Sequence, residues 1–533
     1  MGTVFEWYDF FLFGTLASLI ARNFTAGNDG AGFIFALGAF AAGFIMRPFG
    51  ALFFGSMGDR VGRKQTFLVT ISLMGASTVA LGLLPNVAQV GMLAPVLLVL
   101  TRVLQGFAMG GEYGGAAVYL AEHAEPHRRG YLTSWIQVTA AAGLVLALAV
   151  VLATRVLLGE RAMGQWGWRL PFLFSGFLLA LSLWIRVRLS ESPVFQRMRE
   201  ARQLVRSPIA AAFRGENLRR ILLALTCILL AQGAVWYTGH FYAPFFLERI
   251  LKMSGPTVNL LMVSAVVLSA GAYVFFGWLS DRVGRKPVML MGMLVAALSY
   301  WPGFHAMAAS ANPQLVAAAS RAPVIVLADP DDCHFQFDLL GRREFATSCD
   351  VAQRILTDAG IPYQNVAAAA GSFAQVGVDG RLVRSVSVVG LDAPDAAAMR
   401  QRVATDIRTV LAGAGYPIQG GGNEPGKMGV LVWLLVFLLA AAALYGPQAA
   451  ALVELFPANV RYTALSVPYN IGTGWIGGLL PVSAFAIVAA KGDIYSGLLY
   501  PFVFTAIGII ATIWFFPETN GRSLEVQGCH AQC

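Results

Sequence analysis

The chain has 533 residues, of which 57% are hydrophobic and 13% charged, with 38 Lys and Arg against 29 Asp and Glu. Mean hydropathy is +0.64, more apolar surface than a soluble core can bury, so much of the chain must face lipid. The net charge of +9 does not indicate nucleic acid, because the basic residues gather in short loops between apolar runs, the positive-inside pattern of a membrane protein.

A helix needs about 20 residues to cross the hydrocarbon core. On that rule twelve spans are predicted in chain order, near residues 3–22, 31–57, 66–85, 92–121, 131–154 and 168–187, then 219–248, 256–279, 287–308, 427–455, 462–489 and 496–516. The first run carries Glu6 and Asp9 and has no basic lead. It therefore reads as a span and not as a cleaved signal peptide.

Arg186 to Arg220 holds nine arginines and three acids, which makes that side cytoplasmic and puts both termini there. This loop splits the chain into two six-span halves. The decapeptide GSMGDRVGRK (Gly55 to Lys64) follows span two, and GWLSDRVGRK (Gly277 to Lys286) follows span eight. Two looser echoes lie at equivalent places, AEHAEPHRRGYLTS (Ala121 to Ser134) and VELFPANVRYTALS (Val453 to Ser466). An internal duplication explains the set.

Both decapeptides match G-x-x-x-D-R-x-G-R-K, and with them the chain resembles the major facilitator superfamily of secondary transporters. EWYDF (Glu6 to Phe10), RPFG (Arg47 to Gly50), RVLQGFAMGGEYGG (Arg102 to Gly115) and ESPVF (Glu191 to Phe195) make it similar to the metabolite:proton symporters within that superfamily; PETNGRSLE (Pro517 to Glu525) is a more general ending. The resemblance covers all but about residues 310–426. It implies an all-α membrane protein, with twelve helices in two pseudo-symmetric six-helix bundles and substrate between them near the midplane. It also implies a monomer in a bacterial inner membrane, with a short cytoplasmic lead ahead of the first span. The expected units are an N-terminal bundle (1–187), a cytoplasmic linker (188–218), helices seven to nine (219–308), an insert (309–426), helices ten to twelve (427–517) and a cytoplasmic tail (518–533).

Charge inside a span is costly and needs a reason. Asp9 and Glu6 share a helix face, and a carboxyl in low dielectric can load and unload a proton; Glu112, among glycines, is a third candidate. The bland alternative is a pair of helix-start carboxylates wetted by headgroup water. Arg47 lies about 18 Å up its helix from Asp59, and Arg102 is near mid-span. Each needs a carboxylate, carbonyls or an anionic ligand, so both are candidate substrate contacts, with Gln105 alongside. The alternatives are that Arg47 pairs with Asp9 and that Arg102 is a structural or proton-relay arginine. Gly239 and Pro244 break span seven near Tyr237 and His240, and glycines surround Asn470 and Trp475 in span eleven. Such breaks often line a cavity, although packing alone would account for them.

The resemblance gives the decapeptides a gating role. Gly55 and Gly277 admit a neighbouring helix, and Asp59 and Asp281 accept from a helix N-terminus in the other bundle or pair with arginine. Arg60, Arg63, Arg282 and Arg285 complete the cytoplasmic gate or simply hold the loops inside.

Residues from about 310 to 426 are then extracytoplasmic, with nine arginines and twelve acids. Strand-like runs at Pro323 to Asp329 and Leu382 to Leu391, and amphipathic helices near Asp350 to Asp358 and Ala393 to Leu411, predict a small α+β insert between helices nine and ten. Cys333 and Cys349 fall there, and an oxidising space favours their disulfide, worth about 3 kcal/mol by loop closure. Cys227, Cys529 and Cys533 read as incidental. DPDDCHFQFD (Asp329 to Asp338) does not fit a calcium loop, no phosphate-binding GxxxxGK[ST] occurs, and neither metal nor cofactor is expected.

The sequence thus reads as a transporter and not an enzyme: a proton symporter importing a small organic acid or zwitterion. Two readings stay open beside it. One is a facilitator or exporter of the same fold. The other is a receptor whose insert senses an extracytoplasmic ligand or partner.

Overall fold

A computed structural model describes residues 2–24, 29–188, 190–336, 345–417 and 426–524. Cys529, Cys533 and most of the expected tail lie outside the described residues. The chain is mostly helical, and its elements are numbered here in order. The first part has α1 (Gly2–Thr15), α2 (Ala17–Phe24), α3 (Asp29–Arg60), α4 (Arg63–Leu83), α5 (Leu93–His123), α6 (Arg129–Ala162), α7 (Arg169–Val187) and α8 (Pro193–Glu200). Then come α9 (Gly215–Ile250), α10 (Gly255–Val283), α11 (Arg285–Ala311) and α12 (Pro313–Arg321). Beyond the sheet region lie α15 (Lys427–Leu455), α16 (Arg461–Lys491) and α17 (Ser496–Phe515). Among the described residues ten helices are long and apolar enough to cross a membrane: α4 to α7, α9 to α11 and α15 to α17.

Packing follows small residues. α3 and α5 meet where Gly43, Gly50, Gly106 and Gly110 face each other's backbones, too close for a side chain, as small-residue helix interfaces in lipid require. α4 packs on α5 and α7, and α1 on α6 and α7. Later in the chain α15 packs on α10 and α11, and α17 on α9 and α11. Cross-contacts join early and late helices, α3 to α16 and α6 to both α10 and α15. Outward faces stay apolar and exposed, as at Leu152, Leu157, Phe177, Leu298 and Trp514, which suits lipid contact.

α9 departs from regular helix at Leu225–Leu229, Thr238–Tyr242 and Phe246–Ile250, and α16 at Ile471–Gly477. The turns at Thr238–Tyr242 and Ile471–Gly477 fall on the segments whose Gly and Pro content predicts a break, and the one at Phe246–Ile250 follows Pro244; the one at Leu225–Leu229, without Gly or Pro, was not expected. Such turns often mark functional sites.

The sheet is formed by β1 (Val324–Ala328), β2 (Tyr363–Ala367), β3 (Gln375–Val378) and β4 (Arg381–Arg384), in the order β2-β1-β3-β4. β1 runs parallel to β2 and antiparallel to β3. α13 (Ser348–Ala359) and α14 (Ala393–Gly413) match the two amphipathic patterns closely. The strand expected to reach Leu391 instead ends at Arg384. Beyond it the Val388 N–H donates to the Ala346 carbonyl at 2.8 Å, so this stretch pairs with a loop and leaves the ladder. Cys333 and Cys349 are disulfide-bonded with their Cα atoms 5.1 Å apart, and Cys227 is buried and unbonded.

Candidate functional site

A small cavity of about 30 Å³ lies among α1, α3, α5, α6 and α16. It is lined by Thr3, Glu6, Trp7, Arg47, Met109, Glu112, Tyr113, Ala116, Ile136 and Tyr469. It has room for about two waters, far less than a small organic substrate needs. The Arg47 Nε donates to Asn470 Oδ1 at 3.0 Å, and its guanidinium lies 5.6 Å from the Phe44 ring centre. The Asn470 amide is in turn held by the Gly110 and Ser466 carbonyls, each at 2.8 Å. Asn470 precedes the wide turn of α16, where the backbone of Gly474 lies against Phe44 and Arg47. The pairing of Arg47 with Asp9 does not occur.

Tyr113 stacks on Tyr469 with ring centres 3.7 Å apart, and the Tyr469 and Tyr445 hydroxyls are 2.5 Å apart. Glu112 is buried, and its Oε1 has no hydrogen-bond partner among the described residues. An unsatisfied buried carboxylate oxygen costs free energy unless a proton, water or ligand meets it. Glu6 pairs with Arg186 at 2.5 Å, and the Arg186 guanidinium sits over Phe67. Asp9 accepts from the Ser175 hydroxyl. Glu6 and Asp9 are both buried, which corrects the alternative of carboxylates wetted at the helix start.

The remaining expected contacts lie outside this cavity. Arg102 donates to Gln105, its guanidinium covers Phe13 at 3.4 Å, and Gln105 donates to Thr78 at 2.7 Å. Tyr237 packs between Phe44 and Gly477. His240 does not line the cavity: its ring stacks on Trp236 at 4.2 Å and its Nδ1 bonds the Trp236 carbonyl at 2.9 Å. Trp475 is 38% exposed and points its indole N–H at the Ile45 carbonyl, 3.5 Å away. Of the residues expected to bind substrate, Arg47 alone lines the cavity. Trp7, Tyr113 and Tyr469 line it without having been expected. Pattern gave no signal for them, since stacked aromatics read as packing.

A second charged cluster surrounds the decapeptides. Asp59 accepts from the Tyr462 and Thr463 amides at 3.2 and 2.9 Å, in the first turn of α16, and from the Thr463 hydroxyl at 2.8 Å. Asp281 accepts from the Gly130 and Tyr131 amides at 2.9 and 2.7 Å, in the first turn of α6. Arg63 pairs with Asp59 at 3.1 Å and Arg285 with Asp281 at 2.7 Å. A side chain on Gly55 would strike Thr463, and one on Gly277 would strike Gly130 and Ser134. Arg60 and Arg282 are exposed.

Inside each decapeptide, just before the next helix begins, a glycine takes positive φ, 130° at Gly62 and 105° at Gly284, backbone that favours glycine. There a carboxylate caps the helix. Glu191 accepts from the Arg63 and Lys64 amides at 3.1 and 3.2 Å, and Glu518 from the Arg285 and Lys286 amides at 2.9 and 3.1 Å. Glu122 holds Arg461 at 2.8 Å with Arg63 at 3.7 Å, while Glu454 holds Arg285 at 3.3 Å and Arg129 at 3.4 Å. The signal for this network was in the echo loops: Glu122 and Glu454, then Arg129 and Arg461, stand at equal offsets in them.

A helical protein with ten apolar helices long enough to cross a membrane, a small internal cavity lined by Arg47, Glu6 and Glu112, and a charged cluster repeated in its two halves has the build of a membrane transporter. The profile described as Major Facilitator Superfamily matches residues 1–319, and that described as Sugar (and other) transporter matches residues 407–528. The chain belongs to the major facilitator superfamily. It is 34% identical over 313 residues to the glycine betaine/proline/ectoine/pipecolic acid transporter OusA of Dickeya dadantii, covering 57% of this chain and 62% of that protein. It is 36% identical over 318 residues to the shikimate transporter of Escherichia coli, covering 58% and 71%. It is 34% identical over 312 residues to the citrate-proton symporter of Klebsiella pneumoniae, covering 58% and 68%. The match to OusA thus spans about three-fifths of that relative's length. A solved structure of the proton:xylose symporter XylE bound to 6-bromo-6-deoxy-D-glucose shares the fold, with a TM-score of 0.63, 16% identity and coverage of 98% and 96%.

Proposed function

We propose that the chain is a proton symporter of a bacterial inner membrane that imports a small zwitterion or organic acid by alternating access. The observation that carries this reading is the cavity, where Arg47, Glu112 and the Trp7, Tyr113 and Tyr469 rings converge. Arg47 would hold a carboxylate. The rings and Glu112 would hold a cationic nitrogen, by cation–π attraction and charge, so a zwitterion suits the lining better than a di- or tricarboxylate. Asp9 would carry the proton, with Glu6 and Glu112 coupled to it, and Arg102 and Gln105 would answer its charge.

α1 with α2, and α3, are read as two further spans beside the ten apolar helices, making twelve in two six-helix bundles. The arginine-rich linker and both termini would be cytoplasmic and the α+β segment extracytoplasmic. The decapeptides would then latch the cytoplasmic side in the conformation described, and release when the bundles rock. Proteoliposomes under an imposed inward proton gradient test the reading. Accumulation of labelled proline or betaine above the outside concentration is expected; equilibration without accumulation would make the protein a facilitator.

A further inference from the structure

The Cys333–Cys349 bridge sits where a chemically active group would sit. β1 is central, with β2 parallel on one side and β3 antiparallel on the other. The chain leaves the carboxyl end of β1 through Cys333 and returns through α13 to β2. In open sheets with helical crossovers, the crevice beyond the carboxyl ends of strands, where connections diverge, is the usual place for a reacting group.

The two sulfurs are unlike. Cys349 is fully buried and lies in the first turn of the 12-residue α13, whose N-cap Thr347 accepts from the Asp350 amide at 3.2 Å. Cys333 is only half-buried. Amides at a helix N-terminus stabilise a thiolate, and a better-stabilised thiolate leaves faster in exchange. Beside Cys333, His334 gives both its backbone N–H and its ring Nδ1 to Asp350, at 2.9 and 3.0 Å, with the side chain 42% exposed. A carboxylate on Nδ1–H leaves Nε2 as the basic nitrogen.

We propose that this disulfide is redox-active and exchanges with thiols brought by a partner molecule. The partner's thiol gives its proton to His334 Nε2, and its sulfur attacks Cys333 Sγ. A mixed disulfide forms, the Cys333–Cys349 bond breaks, and the electron pair stays on Cys349 Sγ. A second partner thiol attacks the partner's sulfur in that mixed disulfide and releases the Cys333 thiolate. The two partner protons end on Cys333 and Cys349. Two electrons have then passed to the protein, and the partner holds a disulfide.

The test uses the full-length folded protein in detergent, with glutathione in one arm and a Cys-x-x-Cys dithiol peptide in the other. Acid quenching, alkylation and intact mass follow the bridge. Opening about 100-fold faster than the same thiol opens free oxidised glutathione is expected. A faster peptide arm identifies a protein dithiol as the partner, and a faster glutathione arm a small thiol. A bridge that opens in neither arm until the protein is denatured, or no faster than the reference, overturns the proposal. Cys349→Ser, which leaves Cys333 as a free thiol, should attack added oxidised glutathione, keeping one glutathione on Cys333 and releasing the other as a thiol. His334→Gln should slow exchange about tenfold relative to the wild type while the bridge still forms, read as two hydrogens fewer than its own reduced form; an unchanged rate would remove His334 from the step.

Discussion

Arg461 Nη1 lies 2.8 Å from Glu122 Oε1, with both side chains almost wholly buried. The pair joins the end of α5 to the start of α16, and its counterpart joins Glu454 at the end of α15 to Arg129 at the start of α6, at 3.4 Å. Each glutamate also meets the buried arginine of its own decapeptide, Arg63 or Arg285. One chemical solution thus closes the same seam twice.

Breaking one partner of a buried pair strands the other, at a cost of about 3–5 kcal/mol. Glu122→Gln should therefore lower the unfolding temperature and open the seam, and Glu454→Gln should do the same. Glu122→Gln with Arg461→Gln should cost less than the two single changes summed. Thermal unfolding of the four proteins measures the coupling, and strict additivity would show that the pair does not act as one.

Arg47 predicts a binding phenotype. Arg47→Ala should abolish the thermal shift given by any bound carboxylate or zwitterion. Arg47→Lys should restore little, because an ammonium cannot keep the planar geometry that now meets Asn470. Asn470→Ala should weaken binding about tenfold, near 1.4 kcal/mol. Trp475→Ala, on the exposed face, should leave affinity unchanged. Isothermal titration with proline, betaine and citrate reads all four.

The sequence made the charged clusters at the decapeptides legible and hid most of the cavity, for a physical reason. Charged decapeptides stand out against apolar helices, so Asp59 and Asp281 could be placed, down to the kind of donor they meet. Arg47 finds Asn470 423 positions away, and no local periodicity carries such a pairing. Stacked Tyr113 and Tyr469 have the composition of ordinary core. In the sheet, β1 announced itself as an apolar run. β2 is exposed at all but its first residue, and β3 is four residues long with a central glycine, so neither carries a clear strand pattern.

Asp9 predicts a separation of steps. Asp9→Asn should exchange labelled for unlabelled substrate across proteoliposomes yet fail to concentrate it under a proton gradient. Ser175→Ala, which removes the hydroxyl that Asp9 accepts from, should keep accumulation and shift its pH optimum. Accumulation by Asp9→Asn equal to wild type would move the proton elsewhere, with Glu112→Gln the next variant to read.

The sheet region is tied to the helices by a contact that a single methyl group should break. The Tyr363 backbone N–H donates to the Gly492 carbonyl at 2.8 Å, and the Asn365 side-chain amide to the Ala490 carbonyl at 2.9 Å. Gly492 has φ of 75°, and a Cβ there would run into Tyr363. Gly492→Ala should therefore cost more than about 1 kcal/mol, since strain and collision add, and should raise protease cutting between β1 and α14. Acid probes the same region through Asp329. The Gly371 and Asp331 amides donate to its carboxylate at 2.7 and 3.1 Å and hold its carboxyl below the usual range. A depressed folded value means that this stabilisation is complete above the unfolded pKa, about 3.9, and is lost as pH falls through the lower folded value. Protease resistance of β1 to α14 should fall over that window in the wild type. Asp329→Asn should flatten the fall, and equal acid sensitivity in both proteins would assign it to another carboxylate.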